Sequence, residues 1–365
     1  MKKLVITISF LLLLNILTAC DNNNPEDFEM IIDGTETLSG DMLWKLRDDR
    51  VTTNLKLNNT NTLILEEPSS IAVYQSIAIE TTNFIELVMS WNLKNLGDAE
   101  LVYYIALGDG EKFGDFQIMG QFSDARKSSI SSFDAFASVS YDIVTNKDIE
   151  KNTFIKLRVS ISPNNANQLI LENISLTTKV NNDVILFDEN NLINKRLNVN
   201  PLQQLSVPDI GSVICSPTSL AMVVNYYGFD FTQTEMAKKV LDRNGNIYGN
   251  WTFNASFAGS LEGLYGRVEY IDDFSKIVAY IKNDIPVVMS INSTSKDQLT
   301  GSIMAYPAGH LIVLIGFEKI EGIWYGIVND PAEYENSKVE RKYPVSQLID
   351  VWRQYTYIIT DESLT

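Results

Sequence analysis

The sequence predicts an α+β chain in two parts, an antiparallel β-sandwich followed by a mixed helix-and-strand domain. Short apolar runs separated by turns fill residues 28–180, and helical spacing first becomes clear after Cys215. A length of 365 residues also exceeds what one small core covers, so two domains are expected. Apolar residues make up 45% of the chain and charged residues 21%, as in ordinary globular protein. The net charge of −17 argues against a nucleic-acid partner, because phosphate binding needs a basic face.

The first element is not part of either domain. Lys2 and Lys3 precede an apolar stretch, Leu4 to Leu14, broken only by Thr7 and Ser9, and Leu17-Thr18-Ala19-Cys20 follows. So short an apolar run ending in small residues predicts a secretory signal over residues 1–19 and not a spanning helix. The Leu-Thr-Ala-Cys run resembles the bacterial lipobox, which implies lipidation at Cys20 and anchoring of an exported bacterial protein on the outer face of the cytoplasmic membrane or in the cell envelope. Residues 20–27, rich in Asp and Asn, then form a polar tether. The chain has two cysteines, so lipidation of Cys20 leaves Cys215 as the one free thiol and excludes a disulfide within the chain.

From residue 28 to 180 strands are expected around Thr62–Leu65, Ser70–Tyr74, Phe84–Met89, Leu101–Ile105 and Phe154–Val159. Asn59-Thr60-Asn61 and Gly108-Asp109-Gly110 supply turns. Ile155, Leu157, Val159 and Ile161 alternate with Lys156, Arg158 and Ser160, the pattern of a half-covered strand. No amphipathic helix stands out, hence the sandwich. Residues 181–197 are irregular and rich in Asn and are taken as a linker.

In residues 198–365, Leu220, Val223, Val224 and Tyr227 predict a helix that starts at Cys215 and stops at Gly228. Phe274–Ile281 predicts a second helix. Pro286–Ile291, Leu311–Phe317 and Ile323–Val328 predict buried strands, the last two joined by a hairpin at Glu321-Gly322.

A thiol is a good nucleophile only as thiolate, which needs positive potential and a nearby base. Cys215 opens a helix, where Pro217 suits the first turn and the hydroxyls of Ser216, Thr218 and Ser219 are expected to serve its free amides. His310, the one histidine, opens a strand, and Asp330 closes the next. In adjacent antiparallel strands those two positions are neighbours, so Asp330 is placed to orient the imidazole. Singly, each residue is better explained as core Cys, structural His or turn Asp. Together they follow the order that papain-like folds require.

These residues resemble family thirty-nine of the cysteine peptidases, the bacteriocin-leader-peptidase-like branch. The resemblance spans roughly residues 198–360 and rests on Cys215–Met222 with Tyr226-Tyr227-Gly228, Tyr248–Trp251, Gly309–Val313, Val328–Ala332, and Arg341-Lys342-Tyr343 with Trp352. It implies a papain-like fold and a Cys215, His310, Asp330 triad that hydrolyses peptide or protein substrates without a cofactor. It also implies an oxyanion-hole glutamine ahead of the cysteine. Gln204 is favoured, with Gln203 beside it. Asp209 fills the slot at the shorter interval common in relatives, and Ile214 stands where relatives often carry Trp, which would alter the cleft wall. Asn250 and Trp251 are candidate substrate-binding residues, Trp251 equally as a cleft wall or a loop staple. Trp91, within Ser90-Trp91-Asn92, is expected in the sandwich core rather than on a carbohydrate platform.

Two other function classes fit the same residues. One keeps the triad for acyl transfer or cell-wall amide hydrolysis, although the second His usual in wall hydrolases is missing. The other is a non-catalytic surface lipoprotein whose sandwich binds a glycan or protein. A metal site is not expected, since one His and one free Cys cannot assemble the usual ligand sets.

Overall fold

The computed structural model describes residues 30–163, 169–180 and 185–361. The expected signal segment, Cys20 and the tether lie outside them, as do the first residues of the expected linker. Two sheets make the N-terminal sandwich. The first runs in the order Ile31–Ile32, Ile79–Thr81, Phe154–Ser162, Glu100–Gly108, Gln117–Phe122, Lys127–Ser128, with Ala72–Gln75 also on Phe154–Ser162. The second runs Ser132–Phe133, Ala137–Ser140, Ile143–Asn146, Glu86–Lys94, Ile170–Lys179, Leu63–Leu65, Leu55–Leu57, with Thr35–Ser39 on Ile170–Lys179. Strand pairs are antiparallel apart from Ile31–Ile32 on Ile79–Thr81. As the alternation predicts, Ile155, Leu157, Val159 and Ile161 are buried while Lys156, Arg158 and Ser160 are half-buried. Trp91 fills the centre of this core, stacked on Tyr103 at 3.6 Å and edge-on to Phe122 at 5.6 Å. The sandwich carries one helix that the sequence did not announce, α1 (Gly40–Lys45), with too few residues to display a period.

The C-terminal part is built on a third sheet, ordered Tyr265–Tyr270, Trp352–Thr360, Val287–Ser293, Tyr306–Ile320, Ile323–Asn329, Glu340–Pro344. Lys195–Arg196, at the end of the expected linker, pairs with Phe317 and Gly316 and so joins this sheet. The helices are α2 (Cys215–Tyr226), α3 (Gln233–Val240), α4 (Trp251–Ser260), α5 (Phe274–Lys282) and α6 (Val345–Val351). Gly228 has φ +97°, which ends α2 as expected, and Glu321 and Gly322 both lie in the left-handed region that a tight hairpin needs. None of the described helices is long and apolar enough to cross a membrane.

The two halves meet along a polar seam. On the central strand Glu86–Lys94, Leu87, Met89, Trp91 and Leu93 point into the sandwich. Ser90, Asn92 and Lys94 point outward, yet they are buried because α4 and the Tyr265–Tyr270 strand cover them. That strand is an edge of the third sheet. Its alternate amides are satisfied by side chains of the sandwich: Gly266 donates to Asn92 Oδ1 (2.7 Å), Val268 to Ser90 Oγ (3.3 Å) and Tyr270 to Thr177 Oγ1 (2.9 Å). An edge that would otherwise invite foreign strands is closed. Helix α4 is held at both ends by the sandwich. Asp142 accepts from the Trp251 and Thr252 amides at its start, and Lys94 Nζ donates to the carbonyls of Gly259 (2.9 Å), Leu261 (2.5 Å) and Leu264 (2.8 Å) at its end. The charges match the helix dipole.

Candidate active site

Cys215 is the first residue of α2, a helix whose next nine residues are all buried, so its first turn is fixed by the core. The residue before it, Ile214, supplies no side-chain cap. The hydroxyls expected to serve the first-turn amides do something else: Ser216 Oγ pairs with Tyr357 Oη (2.9 Å) and Ser219 Oγ donates to the Leu311 carbonyl (3.0 Å). Both anchor the helix to the sheet. Ile214, where the sequence suggested an altered cleft wall, is fully buried.

His310 lies in the Tyr306–Ile320 strand, and Asp330 follows the Ile323–Asn329 strand paired beside it in the register Val313–Asn329. The predicted neighbourhood holds: His310 Nε2 is 2.7 Å from Asp330 Oδ1. That leaves Nδ1 as the ring's other nitrogen, and Cys215 is the second group whose charge and hydrogen bonding bear on the imidazole. Cys215 itself is half-buried and free.

Asp330 has no exposure, and four donors converge on it. His310 and the Ala332 amide (3.0 Å) reach Oδ1; Tyr306 Oη (2.9 Å) and Tyr343 Oη (2.7 Å) reach Oδ2. Tyr306 also stacks on the imidazole, ring centres 4.1 Å apart and planes within 13°. The ring is thus fixed by its edge and by its face. Sequence reasoning missed both tyrosines as site residues. Tyr343 belongs to the Arg341-Lys342-Tyr343 motif but had no role there, and among 16 tyrosines nothing singles out Tyr306.

The electrostatics follow from these contacts. Burial pushes the Cys215 thiol up, but the hydrogen bond and charge of His310 and the amides of Leu311 and Ser216 outweigh it and hold the thiol below its ordinary value. Burial alone pulls the imidazole down; the Asp330 charge and hydrogen bond, with Cys215, hold it well above its ordinary value. Burial raises Asp330, and His310, Tyr343 and the Ala332 amide bring it below the usual carboxylate range. All three directions favour thiolate, imidazolium and carboxylate.

Gln204 is buried beside this cluster. Its amide donates to the Pro331 carbonyl (2.8 Å), and its Nε2 donates to the Gly211 carbonyl (2.7 Å) in the loop leading to Cys215. Gly211 is required there, since a Cβ would lie 2.6 Å from the Gln204 carbonyl oxygen. Gln203 is engaged locally with Ser206. Asp209 is exposed at φ +66°, on the turn of that loop.

Asn250 and Trp251 are not brought to this site by any contact among the described residues. Asn250 is 1% exposed and caps α4, accepting from the Phe253 amide (3.0 Å) and donating to Asp242 (3.2 Å). The role the structure shows for Asn250 is that of a buried helix cap with both ends of its amide engaged. Trp251 packs on Tyr355 at 4.4 Å and gives its amide to Asp142, so of its two expected roles the structure supplies the staple.

Residues 196–359 match the model of the Peptidase_C39 like family. A crystal structure described as a C39-like peptidase from Bacillus anthracis is 20% identical, covering 46% of this chain and 98% of that one at a TM-score of 0.35. A β-(1,4)-mannanase from Podospora anserina is 13% identical over 53% of this chain and 34% of its own, at a TM-score of 0.23. An endo-1,4-β-D-xylanase from Clostridium thermocellum is 12% identical over 52% of this chain and 36% of its own, at a TM-score of 0.24. No curated protein matches this chain.

Proposed function

We propose that this chain, with a C39-like, papain-like domain over residues 196–359, is a cysteine peptidase that works outside the cytoplasm. The observation that supports the reading is the 2.7 Å contact of His310 Nε2 with the buried Asp330 carboxylate, with Cys215 the other group that bears on the ring. In this reading the Cys215 thiolate attacks the scissile carbonyl, and His310 protonates the leaving amine. Water, deprotonated by the same imidazole, then hydrolyses the thioester. Asp330 keeps Nε2 occupied, so Nδ1 always faces the sulfur. The developing oxyanion lies at the start of α2, near the Cys215 amide, and the second N–H of Gln204 Nε2 is the side-chain donor. Peptide or protein is the substrate class. Export and anchoring through a lipid on Cys20 rest on residues 1–20 alone.

Iodoacetamide on the folded chain tests the reading by intact mass. One adduct is expected, on Cys215, together with loss of turnover of a peptide library; Cys215→Ala takes no adduct and turns nothing over. Gln204→Ala is expected to keep the adduct while kcat falls about 10²-fold, the loss of one oxyanion donor. A folded protein whose Cys215 stays unmodified would remove the enzyme.

A further inference from the structure

Arg341 stands in the strand Glu340–Pro344, paired with Val328 just ahead of Asp330. Its guanidinium reaches two loops at once. Nη1 donates to the Gly301 carbonyl (2.9 Å), in the loop that runs to Tyr306, and Nη2 donates to Glu333 Oε1, in the segment that follows Asp330. The other carboxylate oxygen, Glu333 Oε2, accepts from the Tyr334 amide (3.2 Å), so the carboxylate is held at both ends. The Arg341 and Glu333 side chains are only 16% and 11% exposed.

Behind Glu333 lies Gln204. Residues 331–336 hold its segment by the backbone. The Gln204 amide donates to the Pro331 carbonyl (2.8 Å), the Leu205 amide to the Glu333 carbonyl (2.9 Å) and the Gln203 amide to Asn336 Oδ1 (2.8 Å). The side-chain amide of Gln204 is held more loosely: Nε2 donates to the Gly211 carbonyl, while Oε1 is buried without a partner. Where that amide points therefore depends on where residues 331–336 place its backbone. Through Arg341, Glu333 ties those residues to a strand of the sheet.

A buried ion pair is a poor source of stability, because desolvating both charges offsets their attraction, and apolar replacement of both partners is often neutral. Such a pair does supply a fixed geometry, since the planar guanidinium fork accepts a carboxylate in few arrangements.

We propose that Arg341 and Glu333 are positioning residues, which hold the segment after Asp330 so that the Gln204 amide meets the oxyanion. The inference rests on the peptidase reading and extends it from Gln204 to the pair behind it. A reacting group misplaced by about 1 Å can cost about 10²-fold in rate. The oxyanion exists only in the transition state, so the loss falls on kcat and leaves KM.

The test is turnover, by the full chain, of a peptide that the parent cleaves. Arg341→Met combined with Glu333→Met leaves no charge unmatched, and Glu333→Gln keeps the shape while removing the charge. Each is measured with Gln204 and with Gln204→Ala. The double variant is expected to keep a Tm near that of the parent and the parent's pH profile of Cys215 alkylation, while kcat falls about 10–100-fold at unchanged KM. Glu333→Gln is expected to show a smaller loss of the same kind. In the Gln204→Ala background both losses are expected to shrink below about twofold, because the donor they aim is gone. Where the double variant melts well below the parent, Glu333→Gln decides by the same comparison. The proposal is overturned if kcat is that of the parent, if the losses multiply with that of Gln204→Ala, or if the alkylation profile shifts with them, which would mean that the pair acts on the imidazole. Gln204→Ala with the kcat of the parent is a different failure: Gln204 is then no oxyanion donor, and that part of the peptidase reading falls together with the pair.

Discussion

Asp330 carries its charge with no access to water, because four protein donors stand in for the solvent it has lost. That arrangement fixes the sign of the site's pH response. The thiol is held below the ordinary value of ~8.5 and the imidazole above ~6.5, so the reactive ion pair exists between the two displaced values. The alkylation rate of Cys215 is expected to rise at a pH below that of a free thiol and to change again only when His310 loses its proton, above the ordinary imidazole range. A single step near ~8.5 would mean that the sulfur does not feel the ring. Tyr343→Phe removes one donor from Oδ2 and leaves more negative charge to hold the imidazolium. Its expected mark is an alkaline limb moved further up, with the acid limb following the tighter ion pair downward. Cys215, His310 and Asp330 were legible because Cys and His are rare in this chain and because Cys215 opens α2 and Asp330 follows a strand; the expected strand start at His310 was off, since the strand begins four residues earlier, at Tyr306. The tyrosines around Asp330 were not, since their role depends on a convergence that spacing along the chain does not encode.

At the scale of elements, α4 explains most of what the sequence hid. From Thr252 to Gly259 every residue is buried, so the helix has no polar face and shows no period to read. One side belongs to the C-terminal core through Ala255 and Ala258, while Phe253 belongs to the sandwich, 6.5 Å from Trp91 and 6.2 Å from Phe122. Gly120 makes room for it, as a Cβ there would lie 2.7 Å from the Phe253 ring. Phe253→Ala is expected to cost about 3–5 kcal/mol in chemical denaturation, the range for emptying an aromatic site in a packed core. A cost below ~1 kcal/mol would show that the ring is not the link between the cores. By contrast α5 has one buried face, while α2, though buried along nine consecutive residues, and the strands Tyr306–Ile320 and Ile323–Asn329 are apolar runs with clear stops at Gly228 and Glu321-Gly322, which is why they could be located from sequence.

At the scale of the whole molecule, the alternation in Ser90, Asn92 and Lys94 looks like a solvent face, and sequence alone has no means of knowing that a second domain lies on it. The expectation of a sandwich joined by a linker therefore captured the parts and not the seam. A seam of backbone-to-side-chain hydrogen bonds, a shared phenylalanine and a helix clamped at both ends predicts that the halves lose structure together. Thermal unfolding followed separately by tryptophan fluorescence and by far-ultraviolet circular dichroism is expected to give coincident midpoints. Two well-separated transitions would count against the coupling.

The row of oxygens at Ser90, Asn92 and Thr177 imitates, with side chains, the acceptors that a neighbouring strand would offer from its backbone. A transplant of the C-terminal half onto another carrier would have to bring that imitation along. Stripped of it, residues 265–270 would recruit a twin, and the product would be a self-associating sheet.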